Sequence, residues 1–215
     1  MTQSQHNKIS PEDRQNIAAA IREAEAQTGG EIYAVLAQRS DDYFYVSGFI
    51  ACCGMLVTAV IAAFVAHYYW FDLSLPKFAL AILAAFICLI ALLALVPALR
   101  MVLVPHRVRY RRAHLNALQQ FVARNVHLTS KRTGILLFVS LAERYAEVVA
   151  DAGINARVDQ QEWNAIVATL SKHAAQGTVS DGFIEAITQA GKLLAQHFPK
   201  EAGDKNELED HLVEL

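Results

Sequence analysis

The sequence predicts an α/β fold: a small mixed sheet with helices on both faces, interrupted by a two-helix transmembrane hairpin. Three observations carry that expectation. Residues 31–38 (EIYAVLAQ) and Gly134–Ser140 (GILLFVS) are strand-length and apolar on both faces, as in strands covered from two sides. The segments around them repeat apolar residues at helical spacing. Residues 46–104 hold two long apolar runs, and apart from Asp72 and Lys77 in the connection no Asp, Glu, Lys or Arg interrupts them before Arg100.

Each run is long enough for a bilayer core of about 30 Å, which takes roughly 20 apolar helical residues. The block raises the hydrophobic content of the 215-residue chain to 54%. What remains suffices for one modest soluble domain. The expected organisation is a split α/β domain over residues 1–45 and 105–200, a hairpin over 46–104, and an acidic mobile tail over 201–215. Residues 1–27 are polar, so no signal peptide is expected and the first span serves as its own signal. Arg100, Arg107, Arg109, Arg111 and Arg112 crowd the exit of the second run and Arg39 precedes the first. The positive-inside rule then gives a two-span protein of the bacterial inner membrane with both termini cytoplasmic and the short turn outside. The arginines and His106 would meet anionic headgroups. The formal charge of −2 gives no reason to expect a nucleic-acid partner. Cys52, Cys53 and Cys88 all lie in the apolar runs and read as small apolar residues, not a disulfide framework or zinc site.

In chain order, Ser10, Pro11, Glu12 and Asp13 make a helix start: a capping serine, proline in the first turn, and acids complementing the helix dipole. Ile17, Ala20, Ile21 and Ala24 follow as an apolar stripe, and Thr28-Gly29-Gly30 ends the helix. The first strand and the apolar block come next. Residues 108–125 read as a helix with Leu115, Leu118, Phe121 and Val122 on its apolar side. Gly134–Ser140 and residues 144–150 form a β-hairpin across a turn at Leu141–Glu143. Asp159, with Glu162 three residues on, starts a helix whose stripe is Trp163, Ile166, Val167 and Leu170. Gly177 closes it. A last helix from Ser180 carries Phe183, Ile187, Ala190 and Leu194, and Pro199 stops it. The first strand, the helix over 108–125 and the strand Gly134–Ser140 make a parallel β-α-β unit with a right-handed crossover, and strand 144–150 adds antiparallel.

Several stretches resemble the TPM domain family: TGGEIYAVLA, RTGILLFVSLAERYAEVVADAGI, the W-x-x-I-x-x-x-L of Trp163–Leu170, and the G-x-x-x-x-G-F-x-x-A-I that begins at Gly177. The run Arg132-Thr133-Gly134-Ile135-Leu136 is its most specific part. The likeness lies outside the apolar block, and the chain is similar to a bacterial branch in which a transmembrane hairpin is inserted in the domain. The resemblance implies a TPM-like sandwich and accessory or regulatory roles around membrane complexes. Phosphatase activity and calcium binding are attributed to some members.

Hard cations take carboxylate and carbonyl oxygens on loops. By that criterion the metal candidates are Asp151, after the second hairpin strand, with Asp159 and Glu31; no other cofactor is indicated. Against them stands the bland reading, in which Asp159 is an N-cap and Asp151 a turn residue, and no D-x-D-x-D-G loop is present. The eight histidines show no metal-ligand spacing, and neither a P-loop nor a G-x-S-x-G occurs. Ser140 has no partner that spacing identifies, and Glu143 with Arg144 reads as a solvated turn. Catalytic residues are not assigned. The expected function is a non-enzymatic accessory, assembly or regulatory binding module at the inner membrane. Its partners would be the lipid bilayer and another membrane protein, or a second copy, through the small residues of the hairpin. The alternative is a metal-dependent, phosphatase-like hydrolase using Asp151 with Glu31 or Asp159 and a divalent cation such as calcium.

Overall fold

The computed structural model describes residues 9–71, 74–204 and 206–215. Residues 1–9 read as a polar, frayed start; residues 1–8 of that stretch and Asp72, expected in the external turn, lie outside the described residues, whereas Ile9 is buried in the core. The chain divides into two units, residues 1–40 with 110–215, and residues 41–109.

In the first unit α1 (Pro11–Glu25) starts as the sequence predicts. The Asp13 amide donates to Ser10 Oγ (3.0 Å) and the Ser10 amide to Asp13 Oδ2 (2.9 Å), a reciprocal cap. The sheet contains β1 (Glu31–Ala37), β2 (Gly134–Ser140), β3 (Tyr145–Ala150) and β4 (Leu212–Glu214) in the order β3-β2-β1-β4. β1 and β2 are parallel, from Glu31 opposite Gly134 to Ala37 opposite Ser140. β3 is antiparallel to β2, with Ile135 opposite Ala150. Every residue of β1 and β2 is buried, which is why both read as uninterrupted apolar runs.

The two faces of the sheet are covered by different helices. Ile32, Ala34, Leu36, Ile135, Leu137 and Val139 form one core with α1, α7 (Gln160–Gln176) and α8 (Val179–His197). Tyr33, Val35, Leu136 and Phe138 form the other with Ala117 and Phe121 of the crossover helix α5 (His106–Ala123). The short helix α6 (Ala152–Asn155) follows β3.

Two expectations for this unit are corrected. The C-terminal segment is not a mobile tail throughout: Leu212–Glu214 pairs parallel with Ala34–Leu36 as β4. Its acidic composition hid a strand of only three residues, whose Leu212 and Val213 are buried on opposite faces of the sheet. The apolar side of α5 also differs. Ala113, Ala117 and Phe121 face the core, whereas Leu115, Leu118 and Val122 are exposed. The sheet face already presents the bulky Tyr33, Leu136 and Phe138, so the helix docks through alanines.

The second unit contains α2 (Phe44–Tyr68), α3 (Leu75–Leu95) and α4 (Pro97–Leu103). α2 packs on both α3 and α4. α2 and α3 are each long and apolar enough to cross a membrane, and almost none of their residues is buried within the protein. The second apolar run is not one helix. It breaks at Val96, because Pro97 has no N–H to continue the ladder, and α4 starts afresh. The buried Arg100 answers that break. Its Nε donates to Leu93 O (2.7 Å), Nη2 to Ala94 O (3.0 Å) and Nη1 to Asp42 Oδ1 (2.5 Å). Its guanidinium also lies over the Phe44 ring, 5.1 Å from the centroid.

Candidate functional site

The N-terminal ends of β1 and β2 meet the C-terminal end of α1 and the segment before β4. Between them lies a cleft of about 240 Å³ lined by Glu25, Glu31, Asp204, Glu207 and Asp210, together with Arg22, Lys131 and Lys200. Local backbone rules place these groups. Thr133 Oγ1 donates to Gly29 O (2.8 Å) and the Glu31 amide to Thr133 O (3.0 Å), tying the two strand starts together. Gly134 must be glycine: a Cβ there would lie 2.2 Å from Val126 O. The close approach and the Thr133 contact give a physical reason for the Thr133-Gly134 pair at this point.

Glu25 is 7% exposed; its Oε1 accepts from the Ile32 amide (2.8 Å), and its Oε2 has no hydrogen-bond partner among the described residues. Burial first, then the nearby Glu31 and Asp210 carboxylates, push its pKa up to about 8 against the lowering effect of the Ile32 hydrogen bond. Glu31 is also raised, chiefly by burial, although its Oε2 accepts from the Leu208 amide (3.3 Å). Lys131 binds Asp204 (2.7 Å) and Glu201 (3.0 Å), and its hydrogen bond holds Asp204 below the usual carboxylate range. Lys200 donates to the Glu25 carbonyl (3.0 Å). Glu207 accepts from the amide of Ser130 (2.9 Å) and from its hydroxyl.

The three residues proposed as metal ligands are not brought together as one centre. Glu31 lines the cleft. Asp159 caps α7, its Oδ1 accepting from the Gln161 amide (3.0 Å). Asp151 caps α6, with Oδ1 accepting from the Ala152 amide (2.6 Å), while its buried Oδ2 has no hydrogen-bond partner among the described residues. The Asp151 amide donates to Gly134 O, and Gly134 lies opposite Glu31, so β2 separates the two carboxylates. Among the described residues no three His, Cys, Asp or Glu side chains form a group that could hold a metal ion.

Two clusters escaped the sequence. Glu143, read as a solvated turn, is fully buried. It accepts from the Ser40 amide (3.1 Å) and the Ser140 hydroxyl, and the two serine hydroxyls are 2.9 Å apart. The arrangement pins the β2–β3 turn to the end of β1. On the other side of the unit, His114 Nδ1 meets both oxygens of Glu147 (2.9 and 3.0 Å), and Tyr145 donates to Glu147 (2.9 Å). Spacing could not reveal either cluster, because their members are up to 103 residues apart.

A parallel β-α-β core with an antiparallel edge strand, and helices on both faces, is the class of fold that these elements define. The chain carries a TPM domain: the model of that family matches residues 98–193, from α4 into α8. The solved NMR structure of the BA42 protein from the psychrophilic bacterium Bizionia argentinensis is similar in fold. Its TM-score is 0.59 at 18% identity, over 96% of this chain and 95% of that one. No curated protein sequence matches.

Proposed function

We propose that this is an integral protein of the bacterial inner membrane whose TPM domain, on the cytoplasmic side with both termini, serves as an accessory, assembly or regulatory binding module. One observation carries the reading. Two helices of membrane-spanning length, with outward-facing Leu, Val, Ile and Phe, are inserted between β1 and the crossover helix of an otherwise continuous α/β fold. Burying those side chains in lipid removes an apolar surface that water would not tolerate. The arginines after the second helix favour the cytoplasmic side for the chain beyond it. The hairpin would meet another membrane protein or a second copy through its small residues.

The test has two parts. A reporter fused at the C-terminus should read cytoplasmic and one inserted at Ser74 external; the reverse moves the domain outside. Affinity capture in mild detergent should recover a membrane partner or a second copy, and recovery of neither under several growth conditions speaks against a binding module.

A second reading, a phosphatase-like hydrolase, is favoured only by the unpaired buried Oδ2 of Asp151, which a divalent cation such as calcium would satisfy. Turnover of a phosphomonoester that requires the cation and disappears in Asp151→Ala would put this reading first. Full activity in that variant would remove it.

A further inference from the structure

One side of α5 carries bulky apolar residues that the α/β unit leaves exposed. Leu115, Leu118 and Val122 are 46%, 37% and 58% exposed. Their spacing of three and four residues places them on one stripe with Arg111, opposite the buried Ala113, Ala117 and Phe121. α5 also carries four arginines, Arg107, Arg109, Arg111 and Arg112, and no Asp or Glu. Arg107 and Arg111 are exposed. The neighbouring acid on β3, Glu147, is engaged by His114 and Tyr145. An apolar stripe with arginines at one end is the pattern of a helix lying in a lipid interface, its apolar side chains among the upper acyl segments and its cations at the phosphates.

We propose that the Leu115–Leu118–Val122 stripe of α5 docks on the anionic lipid surface of the membrane that α2 and α3 cross. The proposal rests on the transmembrane reading of those two helices. Chain length supports this occupant. α5 begins at His106, eleven residues after α3 ends at Leu95, so its start lies within about 40 Å of the second span even if the connection were fully extended. Charge supports it too. The headgroups of an anionic leaflet complement a helix with only basic charges, whereas packing α5 on its counterpart in a second copy would set arginines against arginines.

The experiment uses the full chain reconstituted into vesicles of phosphatidylcholine, alone or mixed with phosphatidylglycerol. Cys52, Cys53 and Cys88 are replaced by alanine, and Leu118→Cys carries a nitroxide label. A second sample carries the label through Asn164→Cys on α7, as a water-exposed reference. Collision with oxygen against a water-soluble nickel complex reports whether each label sits in lipid. At position 118 the label should be lipid-exposed in the mixed vesicles, and less so in phosphatidylcholine alone. Arg107→Gln with Arg111→Gln should lower its ratio of lipid-bound to free label by about fivefold per arginine. At position 164 it should stay in water throughout. A label at 118 that stays in water in every vesicle, while the protein resists carbonate extraction, overturns this inference and leaves the transmembrane reading standing. Spin–spin broadening between labels at 118 overturns it in favour of a second copy. Release of the protein by carbonate overturns both.

Discussion

The Nε of Arg100 donates to the carbonyl of Leu93 at 2.7 Å, the carbonyl whose i+4 partner is Pro97. Proline removes the N–H that would have satisfied it, and a side chain three residues further along supplies the replacement. Arg100→Leu leaves the Leu93 and Ala94 carbonyls without those donors and removes the Arg100–Asp42 pair, a loss of about 2–4 kcal/mol. Thermal unfolding in detergent measures it. Pro97→Ala restores a backbone donor for Leu93, so Arg100→Leu should cost markedly less in that background. An equal cost in both backgrounds would show that the arginine does not serve the proline gap.

Glu25 makes stability depend on pH in a defined direction. Its folded-state pKa is raised from 4.5 to about 8, so the folded state keeps a proton that the unfolded chain gives up. Below 4.5 the two states are equally protonated. Between about 4.5 and 8 the unfolded chain is ionised first, so stability falls as pH rises, and above 8 the loss levels off. Glu31, raised in the same direction, adds to the trend. Glu25→Gln retains an acceptor for the Ile32 amide and removes the ionisation. Its melting temperature should match wild type near pH 4.5 and exceed it by several degrees at pH 8. A constant difference across that range would mean that Glu25 is not the titrating group.

Glu143 is buried at a turn where water cannot replace it. Glu143→Ala should cost about 2–3 kcal/mol, because the Ser40 amide and Ser140 hydroxyl lose their acceptor. Denaturant unfolding gives the magnitude. Hydrogen exchange at the Ser40 amide gives the cause, since its protection should fall more than that of the β1 core. Unchanged protection at Ser40 would assign the loss to something other than this turn.

Leu212 and Val213 are 6% and 8% exposed in β4. Val213→Asp places a charge in the α5-side core and should cost about 2–4 kcal/mol. Glu214→Ala removes only the pair with the half-exposed Arg14, so it should change stability by less than about 1 kcal/mol. Comparable effects of the two would contradict the packing of β4.

Local rules carried much of the fold. Ser10 and Asp13 cap α1 as their spacing implies, and the two-sided apolar character of β1 and β2 identifies them as covered neighbours. What failed was information held between distant residues. The helical period finds both Ala113–Ala117–Phe121 and Leu115–Leu118–Val122 on α5, and only the bulk of Tyr33, Leu136 and Phe138 decides which docks. β4 is too short to show a period. Glu31 was legible as a candidate because it opens a strand, but its companions Glu25, Glu207 and Asp210 come from a helix end and the C-terminal segment.

The parallel pairing of β1 with β2 has a consequence for biosynthesis. Glu31 and Gly134 face each other across the sheet, yet both transmembrane-length helices and α5 are made in between. At a translation rate of about 5–20 residues per second, β1 waits roughly 5–20 s for the strand that shields its edge. During that interval a seven-residue segment destined for complete burial is exposed while the two long apolar helices are being made. Ribosome-bound chains halted before β2 should therefore engage chaperones through β1, and those halted after β2 has emerged should release them.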